Sequence, residues 1–325
     1  MSAEVPRTVV VLSPRLGAVL PAAALPALRT APVVIAAADV PAEVADAAGA
    51  ERLDGPLPAD AVLLTTDPAH PAVAGADEVI TTPEPAGAAL LDAVAVMDRL
   101  RSPGGCPWDA EQTHASLLQY LVEESYELYQ AIEDGDREAL REELGDVLLQ
   151  VLFHSRVACE GADGEPFDID DVAGELVAKL VGRHPHVFAG TERIDTAERQ
   201  QHRWEELKRV EKQRESSVDG VPLGQPAVAL AAKLTSRTAR AGLPADLLPA
   251  GPAVGDQLFA LAARAKLAGV DPEAELRGTA RRFADTVRDA ERAARESGHD
   301  PHALDAETWH RHWPASRGDS VRESR

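Results

Sequence analysis

Residues 117–154 read LLQYLVEESYELYQAIEDGDREALREELGDVLLQVLFH. Two apolar periodicities flank the polar turn Glu133-Asp134-Gly135-Asp136. In the first, Leu118, Leu121, Leu128 and Ile132 recur at three- and four-residue spacing, the mark of an amphipathic helix. In the second, Leu140, Leu144, Val147, Leu148, Val151 and Leu152 do the same. A helix advances about 100° per residue, so Glu123, Glu124 and Glu127 share one arc at the edge of the first apolar face. Glu143 and Asp146 lie about 60° apart on the second by the same geometry. A short turn makes the helices antiparallel neighbours, and both acidic arcs can then point into one cleft.

Five carboxylates brought together repel one another, and each loses hydration as it is buried. A cation makes such an arrangement tolerable. Donors that are all Asp and Glu oxygens suit a hard ion, Mg²⁺ first and Mn²⁺ second. The plainer reading is a helical hairpin with solvated charges, the usual fate of helix glutamates. The two patterns alone leave both readings open.

The whole chain has 325 residues, enough for two or three domains. With 33 Lys and Arg against 54 Asp and Glu, its net charge is −21. That balance argues against general nucleic-acid binding, which needs a basic face. An anionic polyphosphate would have to arrive with its metal or meet local cations. Two cysteines, Cys106 and Cys159, are too few for a disulfide framework and read as reduced thiols. MSAEVPR is no signal peptide, and the longest apolar stretch carries Pro21 and Pro26 and is too short to span a bilayer. The expectation is a cytoplasmic protein with no membrane contact.

Residues 1–85 differ from the rest. Thr8–Leu12, Val33–Ala36 and Ala61–Thr65 are short apolar runs between Ala-rich segments, the alternation of a small α/β unit with a parallel sheet. Residues 76–87 read as a linker, and a helix is expected from Ala88 to Leu100. RSPGGCPWD follows as a loop, by its Pro and Gly content. Trp108 within it reads first as a core anchor. After the hairpin, the acidic run near Asp168 and Asp170 lacks the order of a calcium loop, and one of these residues is the N-cap of a further helix. That helix carries Lys179 and Arg183 on one face, four apart. His184 and His186 have no further ligand at zinc spacing and read as a structural turn. A helix from about Asp195 to Ser216 carries Trp204 and Lys208.

EESYE at 123–127, ELGD at 143–146, CPWD at 106–109 with QTH at 112–114, RHPHVF at 183–188 and RWEELK at 203–208 stand in the order and spacing of the MazG family. Over about residues 88–215 the chain resembles these all-α nucleoside triphosphate pyrophosphohydrolases. The resemblance implies a mainly all-α fold, its helical bundle completed in a homodimer, beside a small N-terminal α/β appendage. It implies hydrolysis of nucleoside triphosphates to the monophosphate and pyrophosphate, with Glu124, Glu127, Glu143 and Asp146 holding Mg²⁺. Glu123 is then the general base or an outer-shell ligand. Lys179, Arg183 and Lys208 would meet the phosphates and Trp204 the base, with a supporting part for Trp108.

The opening RTVVVLSPRLGAVLPAAALPALRTAPVVIAA is weakly similar to the first strand–loop–helix–strand of tetrapyrrole methylases. Its SPRLG replaces the glycine-rich loop such a domain would use, so residues 1–85 are read as a remnant or an interaction module without chemistry. Residues 86–218 form the catalytic domain on this reading, and 316–325 a disordered tail. Residues 219–315 resemble a degenerate repeat: AVGDQLFALAARA at 253–265 echoes ELGDVLLQVLFHS, but Ala253 replaces Glu143 and Thr286 replaces Arg183. A di-iron carboxylate bundle would need two ExxH pairs. The chain offers Glu127…Gln130 and Glu143…Asp146 instead. The competing reading is a nucleotide-binding or scaffolding protein that releases no pyrophosphate.

Overall fold

In the computed structural model the described residues are 8–53, 57–161, 164–190, 196, 199, 203 and 215–314. The expected helix bearing Trp204 and Lys208 lies outside them but for three single positions and its last two residues, and the expected tail lies wholly outside them. The chain divides into two compact units, Met1–Phe188 and Ala189–Arg325.

The first unit begins with a five-stranded parallel sheet of order β3-β2-β4-β1-β5. Its strands are β1 (Thr8–Val11), β2 (Val34–Ala36), β3 (Glu51–Arg52), β4 (Val62–Thr65) and β5 (Glu78–Thr81). Strands buried on both faces read as continuous apolar runs, which is why β1, β2 and β4 are visible in the sequence. Val10, Val34, Ala36, Val62 and Leu64 pack on one face with Val44 of α2 (Ala42–Ala48). Val9, Val11, Ile35 and Leu63 pack on the other. α1 (Leu25–Thr30) follows the first strand. The expected linker at 76–87 instead contains β5, an edge strand that is almost wholly exposed and so lacks the apolar run of its neighbours.

The helical part starts with α3 (Ala89–Arg101), one residue off its expected bounds. Within the expected loop, Pro107 opens a short helix α4 (Pro107–Glu111); proline is favoured at a first helical position because no N–H is needed there. Then come α5 (Leu118–Asp134), α6 (Arg137–Ala158), α7 (Ile169–Arg183) and α8 (Pro185–Phe188). Met97, Leu117, Leu152, Phe153 and Val157 form the core that joins α3 to the far end of the α5–α6 hairpin. Much of the hairpin's apolar face is uncovered: Leu118 is 58% and Ile132 61% exposed. Two ion pairs from Arg15, to Glu84 at 2.5 Å and to Asp92 at 2.7 Å, tie the loop after β1 to the segment that follows β5 and to α3.

The second unit holds α9 (Ala227–Arg240), α10 (Val254–Leu267), α11 (Pro272–Glu296) and α12 (Ala306–His312). Its buried residues are small, among them Ala231, Ala232, Ala262, Ala263, Ala290 and Ala294, which lets helix backbones approach closely. The apolar series Val254, Leu258, Phe259, Leu261 and Leu267 lies within α10, and all but the half-buried Phe259 are open to solvent. Mainly helical with one small parallel sheet, the chain has the fold class its sequence implies.

Candidate metal-binding active site

The hairpin turns where glycine is needed. Gly135 ends α5 with φ of 68°, a left-handed conformation that side chains with a Cβ disfavour. Asp136 then caps α6, its carboxylate accepting from the N–H groups of Glu138 and Ala139. This tight reversal lays α5 and α6 against each other along their lengths and sets their acidic arcs face to face.

Glu124, Glu127 and Glu143 converge: each offers a carboxylate oxygen within 4.8 Å of the others. Glu124 and Glu143 are half-buried and Glu127 is exposed. One oxygen of Glu143, Oε2, is buried with no hydrogen-bond partner. Burial pushes the Glu124 carboxyl above its ordinary pKa, and Asp146, Glu127, Glu143 and, least, Glu123 push it the same way. Glu143 is raised by burial first, then by Glu127, Asp146 and Glu142. Asp146 is thus within electrostatic reach of both half-buried glutamates. Glu123 is exposed and at the margin.

The donor set fits a hard divalent cation. Mg²⁺ takes oxygens at about 2.0–2.1 Å, so two ligands across the ion stand about 4 Å apart. Three oxygens that share one octahedral ion include at least two adjacent pairs, about 3 Å apart, so carboxylate oxygens 4.8 Å apart or less need to close by up to about 2 Å to hold one. The orphaned Glu143 oxygen is the kind of buried acceptor an ion would satisfy. Among the described residues this is the one group of three or more His, Cys, Asp or Glu side chains placed to share a metal.

The expected phosphate-binding residues are placed less directly. α7 is fixed at its start by a capping box between Asp168 and Asp171, as the acidic run predicts, and packs on α6. Lys179 is exposed on α7, whereas Arg183, in its last turn, is only 5% exposed. Trp204 and Lys208 lie outside the described residues. His184 and His186 stand 5.6 Å apart by ring centroids around the start of α8, a local turn as expected.

Beyond the carboxylates the hairpin becomes aromatic. Trp108 is 50% exposed rather than a core anchor, and it meets Tyr120 and Phe153 edge-on at 5.9 and 6.3 Å. Arg101 holds this corner: its guanidinium donates to both oxygens of Glu160, at 2.7 and 3.0 Å, and to the Asp109 carbonyl. His114 and His154 stack with rings 8° from parallel, their Nδ1 atoms 2.8 Å apart. Burial lowers the His154 pKa, and His114 lowers it further. Gln150, one turn past Asp146, is 4% exposed with no partner for Oε1. The sequence reading passed over Gln150 and His154. The available signal was their spacing from Glu143 and Asp146, which puts them on the same helical arc.

Comparison with known proteins bears on this site. A family model described as the MazG nucleotide pyrophosphohydrolase domain matches residues 112–188, and one described as the MazG N-terminal domain matches residues 7–80. The nucleoside triphosphate pyrophosphohydrolase of Mycolicibacterium smegmatis is 46% identical over 278 residues, 80% of this chain and 82% of that one. The protein of the same name from Mycobacterium tuberculosis is 46% identical over 275 residues, 80% of each chain. A 26.1 kDa protein of Streptomyces cacaoi is 55% identical over 206 residues, 63% of this chain and 84% of that one.

Proposed function

This chain belongs to the MazG nucleotide pyrophosphohydrolase family, and on that premise we propose that it hydrolyses nucleoside triphosphates to monophosphate and pyrophosphate with Mg²⁺. The observation that carries the proposal is the convergence of Glu124, Glu127 and Glu143 within 4.8 Å, with a buried, unpartnered oxygen on Glu143. Glu124, Glu127, Glu143 and Asp146 would hold Mg²⁺, with Mn²⁺ as a substitute. Bound there, the ion supplies charge neutralisation on the phosphates and lowers the pKa of water. Water attacks the α-phosphorus. The new bond joins the water oxygen to that phosphorus, and the bond to the α–β bridging oxygen breaks. Pyrophosphate leaves with the bridging oxygen, and the proton passes to a carboxylate, for which exposed Glu123 is the candidate.

Lys179, Arg183 and Lys208 are assigned to the phosphates and Trp204 to the base by family resemblance. Leu118, Val122, Ile132, Leu144, Leu176 and Val177 are exposed on the hairpin and α7, which supports a homodimer that covers them. Residues 86–218 are the proposed catalytic domain and 219–315 a degenerate repeat. No helix among the described residues is long and apolar enough to cross a membrane. We place the protein in the cytoplasm, in sanitation or control of the nucleotide pool.

A pyrophosphate-release screen of the purified protein against ordinary and modified triphosphates, with and without Mg²⁺, tests this. Metal-dependent release supports it. Nucleotide binding with no pyrophosphate would instead identify a binding or scaffolding protein.

A further inference from the structure

The polar face of α6 is longer than the carboxylate cluster. At about 100° per residue, Glu143, Asp146, Gln150 and His154 fall within one arc about 80° wide. Three of these four carry a buried polar atom with no partner: Glu143 Oε2, Gln150 Oε1 and His154 Nε2. Gln150 is the extreme case at 4% exposed, yet Asp146 and His154, one turn to either side, are half-buried and keep the stripe within reach of solvent. A buried amide oxygen without a donor is costly, and native chains keep such groups where water, an ion or a ligand completes them. Glu143 has an explanation in the proposed metal site. Gln150 has none there: its side chain is no ligand for a charge-dense cation when four carboxylates are at hand.

Position and chemistry indicate what completes it. Gln150 lies about 6 Å along α6 from Asp146, at 1.5 Å per residue, one sugar's length beyond the phosphates. On that side Phe153 meets the half-exposed Trp108 at 6.3 Å, and aromatic faces suit a nucleobase. The missing partner of an amide oxygen is an N–H or O–H donor.

We propose that Gln150 is a specificity-determining residue that accepts a hydrogen bond from the exocyclic amino group of the nucleobase. Adenine and cytosine carry that group where hypoxanthine and uracil carry a carbonyl. The assignment rests on the proposed function only for the placing of the triphosphate at the carboxylates. With the amide oriented as it is here, Oε1 unpartnered, a carbonyl in place of the amino group sets acceptor against acceptor and leaves the buried oxygen unpaired.

The test is calorimetric binding of the α,β-methylene triphosphates of adenosine and inosine, which cannot be cleaved at the bond in question, to the full-length protein with Mg²⁺. The parent should bind the adenosine form at least about tenfold more tightly, and Gln150→Leu should reduce that preference to about twofold or less. Melting temperature is the second readout. Replacing an unpartnered buried amide by leucine should hold it or raise it, because no native bond is lost. The proposal is overturned if the parent shows no preference or binds neither analogue, if the variant keeps the preference, or if it melts several degrees lower. Preference for the adenosine analogue without pyrophosphate release from ATP would leave this assignment standing and remove the hydrolytic one.

Discussion

Glu124→Gln separates the metal-site account from a solvated acidic surface, because the two demand changes of different kinds. The carboxylate oxygens of Glu124, Glu127 and Glu143 lie within 4.8 Å of one another. Two unit charges at that distance repel by about 1 kcal/mol in water and about 3–4 kcal/mol at an effective dielectric of 20. Glu127 is exposed, so the lower figure applies. Neutralising Glu124 should stabilise the metal-free protein by about 1 kcal/mol, or about 2–4 °C in melting temperature for a unit of this size. The gain depends on pH. The Glu124 carboxyl is held above its ordinary pKa by burial and by its acidic neighbours. A carboxyl raised on folding contributes stability at pH below its unfolded value and loses it as pH rises through the folded value. The advantage of Glu124→Gln should therefore be absent in acid and grow as pH rises through and above the carboxylate range. In the same variant, turnover should fall by about a hundredfold or more, and the rise in melting temperature on adding Mg²⁺ should shrink or vanish. Scanning calorimetry in EDTA and in Mg²⁺ measures the stability changes, pyrophosphate release measures turnover, and circular dichroism checks helix content. Near-normal turnover, or a metal-free variant that melts below its parent at neutral pH, would refute the reasoning.

Three further outcomes follow from other parts of the chain. Asp146→Asn should match Glu124→Gln in lost turnover with unchanged helical dichroism; retention of activity would remove Asp146 from the site. Asp256→Ala should leave turnover within about threefold, because one carboxylate in the second unit cannot fix an ion that demands near-octahedral oxygen ligation. Loss of activity in a folded Asp256→Ala protein would make that unit catalytic. Glu160→Gln should act with the opposite pH sign to Glu124→Gln. Its carboxyl is held below the ordinary range chiefly by the hydrogen bond from Arg101, so its contribution is present at neutral pH and lost as pH falls through its depressed pKa. The cost at neutral pH should be about 1 kcal/mol, the worth of a charge-assisted bond discounted for the exposure of Glu160. A cost that persists in acid denaturation profiles would contradict it.

What could be read from the chain depended on whether its cause was local. The hairpin was legible because apolar period, turn glycine and cap all lie within residues 117–154 and agree. Asp168 was legible as a cap for the same reason. β5 was not. Glu78–Thr81 is a strand because β1 offers it an edge seventy residues away in sequence, and an exposed edge strand needs no apolar run. β3, two residues long, left no pattern at all. The apolar stripe of α5 was visible, but period alone says nothing of what covers it, and Leu118 and Ile132 prove open in the single chain. In the site, the glutamates announced themselves by charge. Gln150 did not, since a glutamine in a helix looks like a solvated residue until its burial is known. Trp108 reversed its expected role for a similar reason. Its contacts come from Tyr120 and Phe153, on two other helices, and half of its surface stays outside.

The central claim is the position of bond cleavage at the carboxylate site. Hydrolysis of ATP by the full-length protein with Mg²⁺ in ¹⁸O-water, with the products resolved by mass spectrometry, tests it most directly. Attack at the α-phosphorus predicts label in the monophosphate and unlabelled pyrophosphate. Diphosphate as the first product, with label in orthophosphate, would place the attack at the γ-phosphorus and contradict the account.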